Sequence, residues 1–220
     1  MLEKITSIYS DIDILVVDDN SPDGTGKIVK DFMKQSKSVF ILERTIKDGL
    51  GRAYIAGFHW CLEKGYDFIC EMDADFSHNP KDLGRLIEAC EEGAGLSIGS
   101  RYVNGVNVVN WPMGRVIMSY YASAYVRIIT GMKVRDTTAG FVCYKAETLS
   151  AIPLDKVKFK GYAFQIEMKF KAWKRKVKIK EVPIIFTDRT KGTSKMSKGI
   201  FKEAVFGVLE LKIKSIFGKY

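Results

Sequence analysis

The sequence predicts an α/β fold built on a mainly parallel sheet, and three observations predict it. Short apolar runs bounded by turn formers alternate with segments of helical apolar spacing through the first half, the pattern of strands joined by crossover helices. Three of those runs end in charged side chains, at Asp18 and Asp19, at Asp73 and Asp75, and at Arg101; ligands in such sheets bind beyond the carboxyl ends of strands. No internal repeat or low-complexity linker divides the chain, so its halves are expected to share one core.

Residues 1–10 have helical spacing at Leu2, Ile5 and Ile8 with no capping residue before them, as at the end of a helix whose start is missing. Residues 11–17 form a strand, and the turn Ser21-Pro22-Asp23-Gly24 feeds a helix over 25–35. A strand over 39–43 leads through Lys47-Asp48-Gly49-Leu50-Gly51 into a helix to Lys64. Residues 67–72 read as a buried strand, because a short apolar run between turn formers suits a strand better than a helix. A helix over 80–92 and a strand over 96–100 follow. In the second half, 113–130 is a long, mainly apolar helix and 141–145 a short strand. Residues 161–174 are helical, 178–186 extended and 187–197 polar. A last amphipathic helix runs to about residue 217.

Charge is distributed unevenly. Residues 1–110 carry 12 Lys and Arg against 18 Asp and Glu, and residues 111–220 carry 23 against 8, a net −6 beside a net +15. The acidic half suits a metal, and the basic half suits an anion such as phosphate or a membrane surface. No RNA-binding signature or zinc-finger spacing points to nucleic acid. Cys61, Cys70, Cys90 and Cys143 form no C-x-x-C pair and read as reduced core thiols in a cytosolic setting. No signal peptide is present, and no apolar run reaches the ~18 residues of a membrane span.

The motif with the most chemistry is Glu71-Met72-Asp73-Ala74-Asp75. Side chains two apart on a strand share a face, so Asp73 and Asp75 can close on one ion from a strand end. Hard carboxylate oxygens suit Mg²⁺ or Mn²⁺, which are usually held by one or two carboxylates plus substrate phosphates. The same stretch also reads as an acidic turn capping a helix. Asp18 and Asp19 either bind a nucleoside or cap the helix after them. The Gly49-Leu50-Gly51 loop fits neither the P-loop nor the dinucleotide fingerprint. Arg101 and Arg115 could grip phosphate oxygens. His59 and His78 are expected to be structural, and Trp111, Trp173, Tyr120 and Tyr121 to belong to the core. The basic run 169–180 is expected to be a solvated face, with contact to a membrane as its other reading. The last helix suits either a membrane interface or packing on the core.

Taken together and in order, VVDDNSPDGTG, GLGRAYIAGF, EMDADFSHNP, IGSRYV, GYAFQIEM and DRTKGTSKMS resemble the family 2 glycosyltransferases of GT-A fold, most closely the dolichyl-phosphate mannose synthases. The resemblance covers nearly the whole chain. It implies a Rossmann-like α/β/α sandwich and transfer of mannose, with inversion, from GDP-mannose to a polyprenyl phosphate. By the same resemblance Asp73 and Asp75 hold Mg²⁺ or Mn²⁺ on the diphosphate, and Val17, Asp19 and Ala74 contact the nucleoside. Arg101, Arg189 and Lys195 contact diphosphate, sugar or acceptor phosphate, Arg115 lies near the acceptor, and Gln165 and Glu167 line the sugar pocket. Asp75, Arg101, Gln165 and Glu167 are the residues expected to act in catalysis. Transfer of another hexose, such as glucose from UDP-glucose, and a non-catalytic relative acting as a binding protein are the alternatives.

Members of the family begin with a strand that this sequence lacks. The expectation is therefore a sheet short of its first strand, in a shortened gene product to which about 25 residues would be added using common helix and loop lengths. The catalytic domain is expected over 1–195, and a basic amphipathic helix over 196–220. That ending resembles the short form of the family, peripheral on the cytoplasmic face of a membrane through surface attachment or small membrane subunits.

Overall fold

The computed structural model describes residues 1–161, 163–188 and 198–217, the side chains of 198–204 excepted. Its elements in chain order are α1 (Leu2–Ile8), β1 (Ile14–Asp18), α2 (Thr25–Met33), β2 (Val39–Glu43), α3 (Leu50–Lys64), β3 (Phe68–Glu71), α4 (Asp82–Glu91), β4 (Leu96–Ser100), β5 (Val108–Val109), α5 (Met113–Thr130), β6 (Val142–Lys145), α6 (Ala146–Ala151), α7 (Ala163–Lys174), β7 (Ile179–Pro183), β8 (Phe186–Thr187) and α8 (Lys198–Ile216). The alternation read from the sequence is present. The extended run over 178–186 divides into β7 and β8, and the short elements α6 and β5 were not anticipated.

Strands β1 and β2 pair in parallel, with Ile14 opposite Val39 and Asp18 opposite Glu43. A four-stranded sheet has the order β3-β6-β4-β7. In it β6 runs antiparallel to β3 and β4, while β4 and β7 are parallel. A short parallel pair, β5 with β8, completes the pairings. Because β3 and β4 both oppose β6, they run in the same direction and deliver their C-terminal residues to one edge. Among the described residues no ladder joins β1 to β3. Helix α3 spans them, with Gly57 so close to Val17 that a Cβ would lie 3.2 Å from Cγ2.

Period-two alternation along residues 141–144 sorts the core into two layers. Phe141 and Cys143 pack with Leu83, Leu86 and Cys90 around α4. Val142 and Tyr144 face the other way, toward Ile55 and Phe58 of α3 and Phe164 and Met168 of α7. The architecture is therefore helix, sheet, helix. A third cluster joins α5, α7 and α8 through Val126, Phe170, Val208 and Leu211.

Two expectations are corrected here. Within the basic run, Lys169 and Lys171 are buried because each finds polar partners inside the fold, whereas Lys174, Lys176, Lys178 and Lys180 are exposed as expected. Tyr120 and Tyr121 are exposed on α5 rather than in the core, since the opposite face of that helix, with Ser123 and Val126, is the buried one. The glycine loop packs its backbone against the protein itself: the Gly51 N–H donates to the Lys160 carbonyl at 2.8 Å, and a Cβ at Gly51 would fall 2.7 Å from the Phe159 carbonyl oxygen. The last helix packs on the core through Val208 and Leu211, while Phe206, Leu209, Ile213, Ile216 and Phe217 are exposed.

Candidate functional site

The edge reached by β3 and β4 carries the carboxylate pair and Arg101. Asp75 lies in a tight turn in which its Oδ1 accepts the Ser77 N–H at 3.0 Å and the Ser77 hydroxyl at 2.6 Å. Between them Phe76 adopts φ 63°, a left-handed conformation that is unusual for a bulky residue and is found where surrounding structure enforces it. The Asp73 N–H donates to His78 Nδ1 at 3.2 Å, and the Tyr54 hydroxyl bonds its carboxylate. His78 is buried, stacked on Phe141 at 4.9 Å and edge-on to Phe186 at 5.2 Å. Burial, reinforced by the Arg101 cation, pushes its pKa down to about 4, so the neutral imidazole can accept at Nδ1. This is the structural role expected of it.

Arg101 is buried and held in a fork. Its Nε and Nη2 donate to the two carboxylate oxygens of Asp136 at 2.7 and 2.6 Å, its backbone N–H donates to Asp136 at 2.9 Å, and Nη2 also reaches Thr138 Oγ1 at 2.9 Å. Burial would raise the Asp136 carboxyl, but the guanidinium outweighs it and keeps the pKa below the ordinary value. This leaves the Nη1 edge as the one engaged by neither Asp136 nor Thr138. Glu181 of β7 fixes the backbone beneath, accepting the Asp136 and Arg135 N–H groups at 2.9 and 2.8 Å and the Ser100 hydroxyl at 2.7 Å.

Arg115, near the start of α5, donates to Asp188 at 2.8 Å and lies 4.0 Å from the Trp111 ring centroid. Arg101 approaches the same ring at 5.5 Å, and Trp111 meets Phe186 edge-on at 5.2 Å. The rings of His78, Phe186 and Trp111 thus form a continuous wall from the Asp73 backbone to both arginines. Trp111 belongs to this wall rather than to the core clusters.

At the end of β1, Asp19 lies 3.2 Å from Arg44 Nη1, an ion pair by distance whose angle falls short of a hydrogen bond. Arg44 also pairs with Asp48. Gln165 and Glu167 are both buried on α7 but do not share a face, since two residues on a helix are ~200° apart. Gln165 accepts from Lys169 at 3.3 Å and lies close to the Glu71 carboxylate. Glu167 Oε2 instead accepts the Lys158 and Phe159 N–H groups at 2.9 and 3.0 Å, and its Oε1 pairs with Lys171 at 3.4 Å. The two residues therefore meet different partners, Gln165 on the Lys169 side and Glu167 on the 158–159 backbone. Arg189 and Lys195 lie outside the described residues.

Beneath Asp73, Glu71 is fully enclosed, with Tyr144 donating to its Oε1 at 3.3 Å and no hydrogen bond at Oε2. Burial pushes its pKa up against the pull of the Lys169 ammonium. Asp136, Glu181 and Asp188 escaped sequence reading. The available signal was scarcity: with only 8 carboxylates among 23 cations in the second half, each is a candidate partner for an arginine.

The donor set fits a hard divalent ion shared with a ligand. No group of three or more His, Cys, Asp or Glu side chains able to hold a metal occurs among the described residues, so Asp73 and Asp75 could supply only part of a coordination sphere, as is usual where phosphates complete it.

A layered sheet with charged groups at the carboxyl ends of its strands places a ligand site there, and comparison with known proteins makes the class definite. Residues 1–152 match the glycosyl transferase family 2 model, and the chain belongs to that family. It is 50% identical over 207 residues to an undecaprenyl-phosphate mannosyltransferase of Micrococcus luteus, covering 94% of this chain and 85% of the relative. It is 47% identical over 204 residues to a polyprenol monophosphomannose synthase of Mycolicibacterium smegmatis, covering 92% and 77%. Among solved structures, the glucosyl-3-phosphoglycerate synthase of Mycobacterium tuberculosis with Mn²⁺, UDP and phosphoglyceric acid superposes with a TM-score of 0.66 at 15% identity, over 97% of this chain and 71% of that one. The GT-A fold is shared.

Proposed function

We propose that the protein transfers a mannosyl group, with inversion, from GDP-mannose to a polyprenyl phosphate. The observation that carries this reading is the 50% identity to an undecaprenyl-phosphate mannosyltransferase, joined to a site that has the required charges. Asp73 and Asp75 would hold Mg²⁺ or Mn²⁺, a reading supported by the Mn²⁺ in solved structures of the same fold. The ion would supply charge stabilisation at the departing diphosphate. Val17, Asp19 and Ala74 are assigned to the nucleoside, with Arg44 fixing the Asp19 carboxylate. Arg101, clamped by Asp136, presents a fixed cation where negative charge develops, and Arg115, Arg189 and Lys195 are assigned to the phosphates of donor and acceptor. Gln165 is assigned to the sugar pocket, and Glu167 supports it by bonding the 158–159 backbone.

A lipid phosphate is largely a dianion at neutral pH, by analogy with phosphorylated side chains whose second pKa is about 6. It needs little help from a general base, so cationic residues that position it matter more. Attack from the face opposite the diphosphate inverts the anomeric centre. Peripheral attachment to the cytoplasmic face of a membrane, directly or through small membrane subunits, is supported by the exposed apolar side chains of α5 (Met113, Ile117, Tyr121, Ile128) and α8 (Phe206, Ile213, Phe217). Among the described residues no helix is long and apolar enough to cross a membrane.

The test is transfer from GDP-mannose and UDP-glucose, side by side, to polyprenyl phosphate, with Asp75→Asn as control. Metal-dependent transfer from GDP-mannose that falls roughly a thousandfold in Asp75→Asn, with unchanged melting, is expected. Transfer only from UDP-glucose would replace the donor assignment, and full activity of Asp75→Asn would place the metal elsewhere.

A further inference from the structure

Lys169 is the one fully enclosed lysine among the described residues, and the scheme above gives it no task. Its Nζ donates to the Ala139 carbonyl at 2.6 Å, and to the Gln165 carbonyl and side-chain oxygens at 3.3 Å each. Its charge acts on Glu71 on one side and on Asp136 on the other. Glu71 stands on β3 two residues before Asp73; Asp136 opens the loop that grips Arg101, and Ala139 lies three residues along it. One ammonium therefore ties α7 to the loop that bears the arginine clamp, with the Glu71 carboxyl of β3 within range of its charge.

Stability alone is a poor reason for this lysine. Phe164, Met168 and Phe170 around it on α7 are fully buried, and replacing a buried ion pair with apolar side chains is often neutral or stabilising. A charged donor on a carbonyl is, however, a strong and directional bond. We propose that Lys169 is a positioning residue: from α7 its ammonium fixes the 136–139 loop through the Ala139 carbonyl and so holds the Arg101 guanidinium in register with the carboxylates after β3. The proposal rests on the reading of Arg101 as a phosphate-binding group, but its effect on Arg101 can be measured without that reading.

The experiment compares the whole chain, Lys169→Met, and the double variant Lys169→Met with Glu71→Gln. The double variant removes both buried charges, so neither is left unpaired, and it decides the matter if the single variant fails to fold. Hydrogen exchange at Arg101 Nε–H, which donates to Asp136 at 2.7 Å, is followed by nitrogen-15 NMR, alongside thermal melting and mannosyl transfer. The double variant should melt close to the wild type, yet exchange Nε–H about tenfold faster and transfer about tenfold more slowly, as for loss of one charged hydrogen bond. Unchanged Nε–H exchange would overturn the proposal whatever the activity. Faster exchange with undiminished transfer would uphold Lys169 as the anchor of Arg101 and reject Arg101 as a participant in transfer.

Discussion

Helices α7 and α8 are alike in composition and opposites in the fold. Both mix lysines with aromatic and aliphatic residues, AFQIEMKFKAWK in one and KGIFKEAVFGVLELKIKSI in the other. In α7 every residue from Ala163 to Ala172 is buried, charges included. In α8 large apolar side chains stand in solvent, Phe206 at 65% and Phe217 at 71% exposure. The difference lies in what surrounds each helix. Helix α7 is covered by α3, the sheet and α8, and meets a polar partner for each buried charge; α8 has neighbours on one side only. Composition and periodicity describe a helix alone, whereas burial is decided by its partners.

The largest effect expected from this contrast is at Glu167. Its replacement by Ala would strip the acceptor from two backbone N–H groups and leave the Lys171 ammonium buried without its carboxylate. A loss of about 3–5 kcal/mol in unfolding free energy is expected in denaturant titration. A loss below about 1 kcal/mol would mean that the buried charges of α7 behave like surface ones, and the contrast with α8 would collapse.

Next in size is the packed edge of α8. Leu211 is buried against α7 and α5, and Leu211→Ala should cost about 2–5 kcal/mol by removing methylene contacts and leaving a cavity. The outward side chains should behave differently. Phe206→Ser combined with Ile213→Ser should change stability by no more than about 0.5 kcal/mol, as for surface positions generally. If that face meets a bilayer, however, sedimentation with anionic vesicles should weaken more than tenfold, since burying each such side chain contributes about 1.5–3 kcal/mol. Equal retention of both forms on vesicles would remove α8 from the membrane contact.

The same contrast explains what could be read in advance. The alternation of elements, the carboxylate turn after β3 and the positions of Arg101 and Arg115 at element ends were legible, because strand period, turn chemistry and helix spacing are local. The partners of those groups were not. Asp136 reaches Arg101 across 35 residues, Asp188 reaches Arg115 across 73, and Tyr54 meets Asp73 from helix α3. Lys169 was assigned to a solvated face because a run of lysines ordinarily is one, and only the Ala139 carbonyl and the carboxylates around it explain its burial. Gln165 and Glu167 were grouped through the family resemblance, and only the fold shows that they meet different partners.

The smallest expected effect concerns how α8 is fastened. Glu210 accepts from Lys158 at 2.6 and 2.8 Å and pairs with Lys214 at 2.8 Å, and these bonds, Lys158 first, hold its carboxyl below its ordinary value. A carboxyl whose pKa is lower folded than unfolded adds stability above its unfolded value of about 4.3 and loses it as the pH falls through the folded value. With its side chain 35% exposed, the clamp is screened by water and should contribute only about 0.2–1 kcal/mol. The wild type should therefore be slightly more stable than Glu210→Gln at pH 7, and the difference should shrink as the pH falls below the unfolded value and through the lowered folded one. Salt at about 1 M should shrink the pH 7 difference, since the Debye length falls to about 3 Å. A difference that did not shrink on acidification would show that Glu210 acts through packing rather than charge, and α8 would then be held to the 158 segment in the way that Leu211 holds it to its buried neighbours.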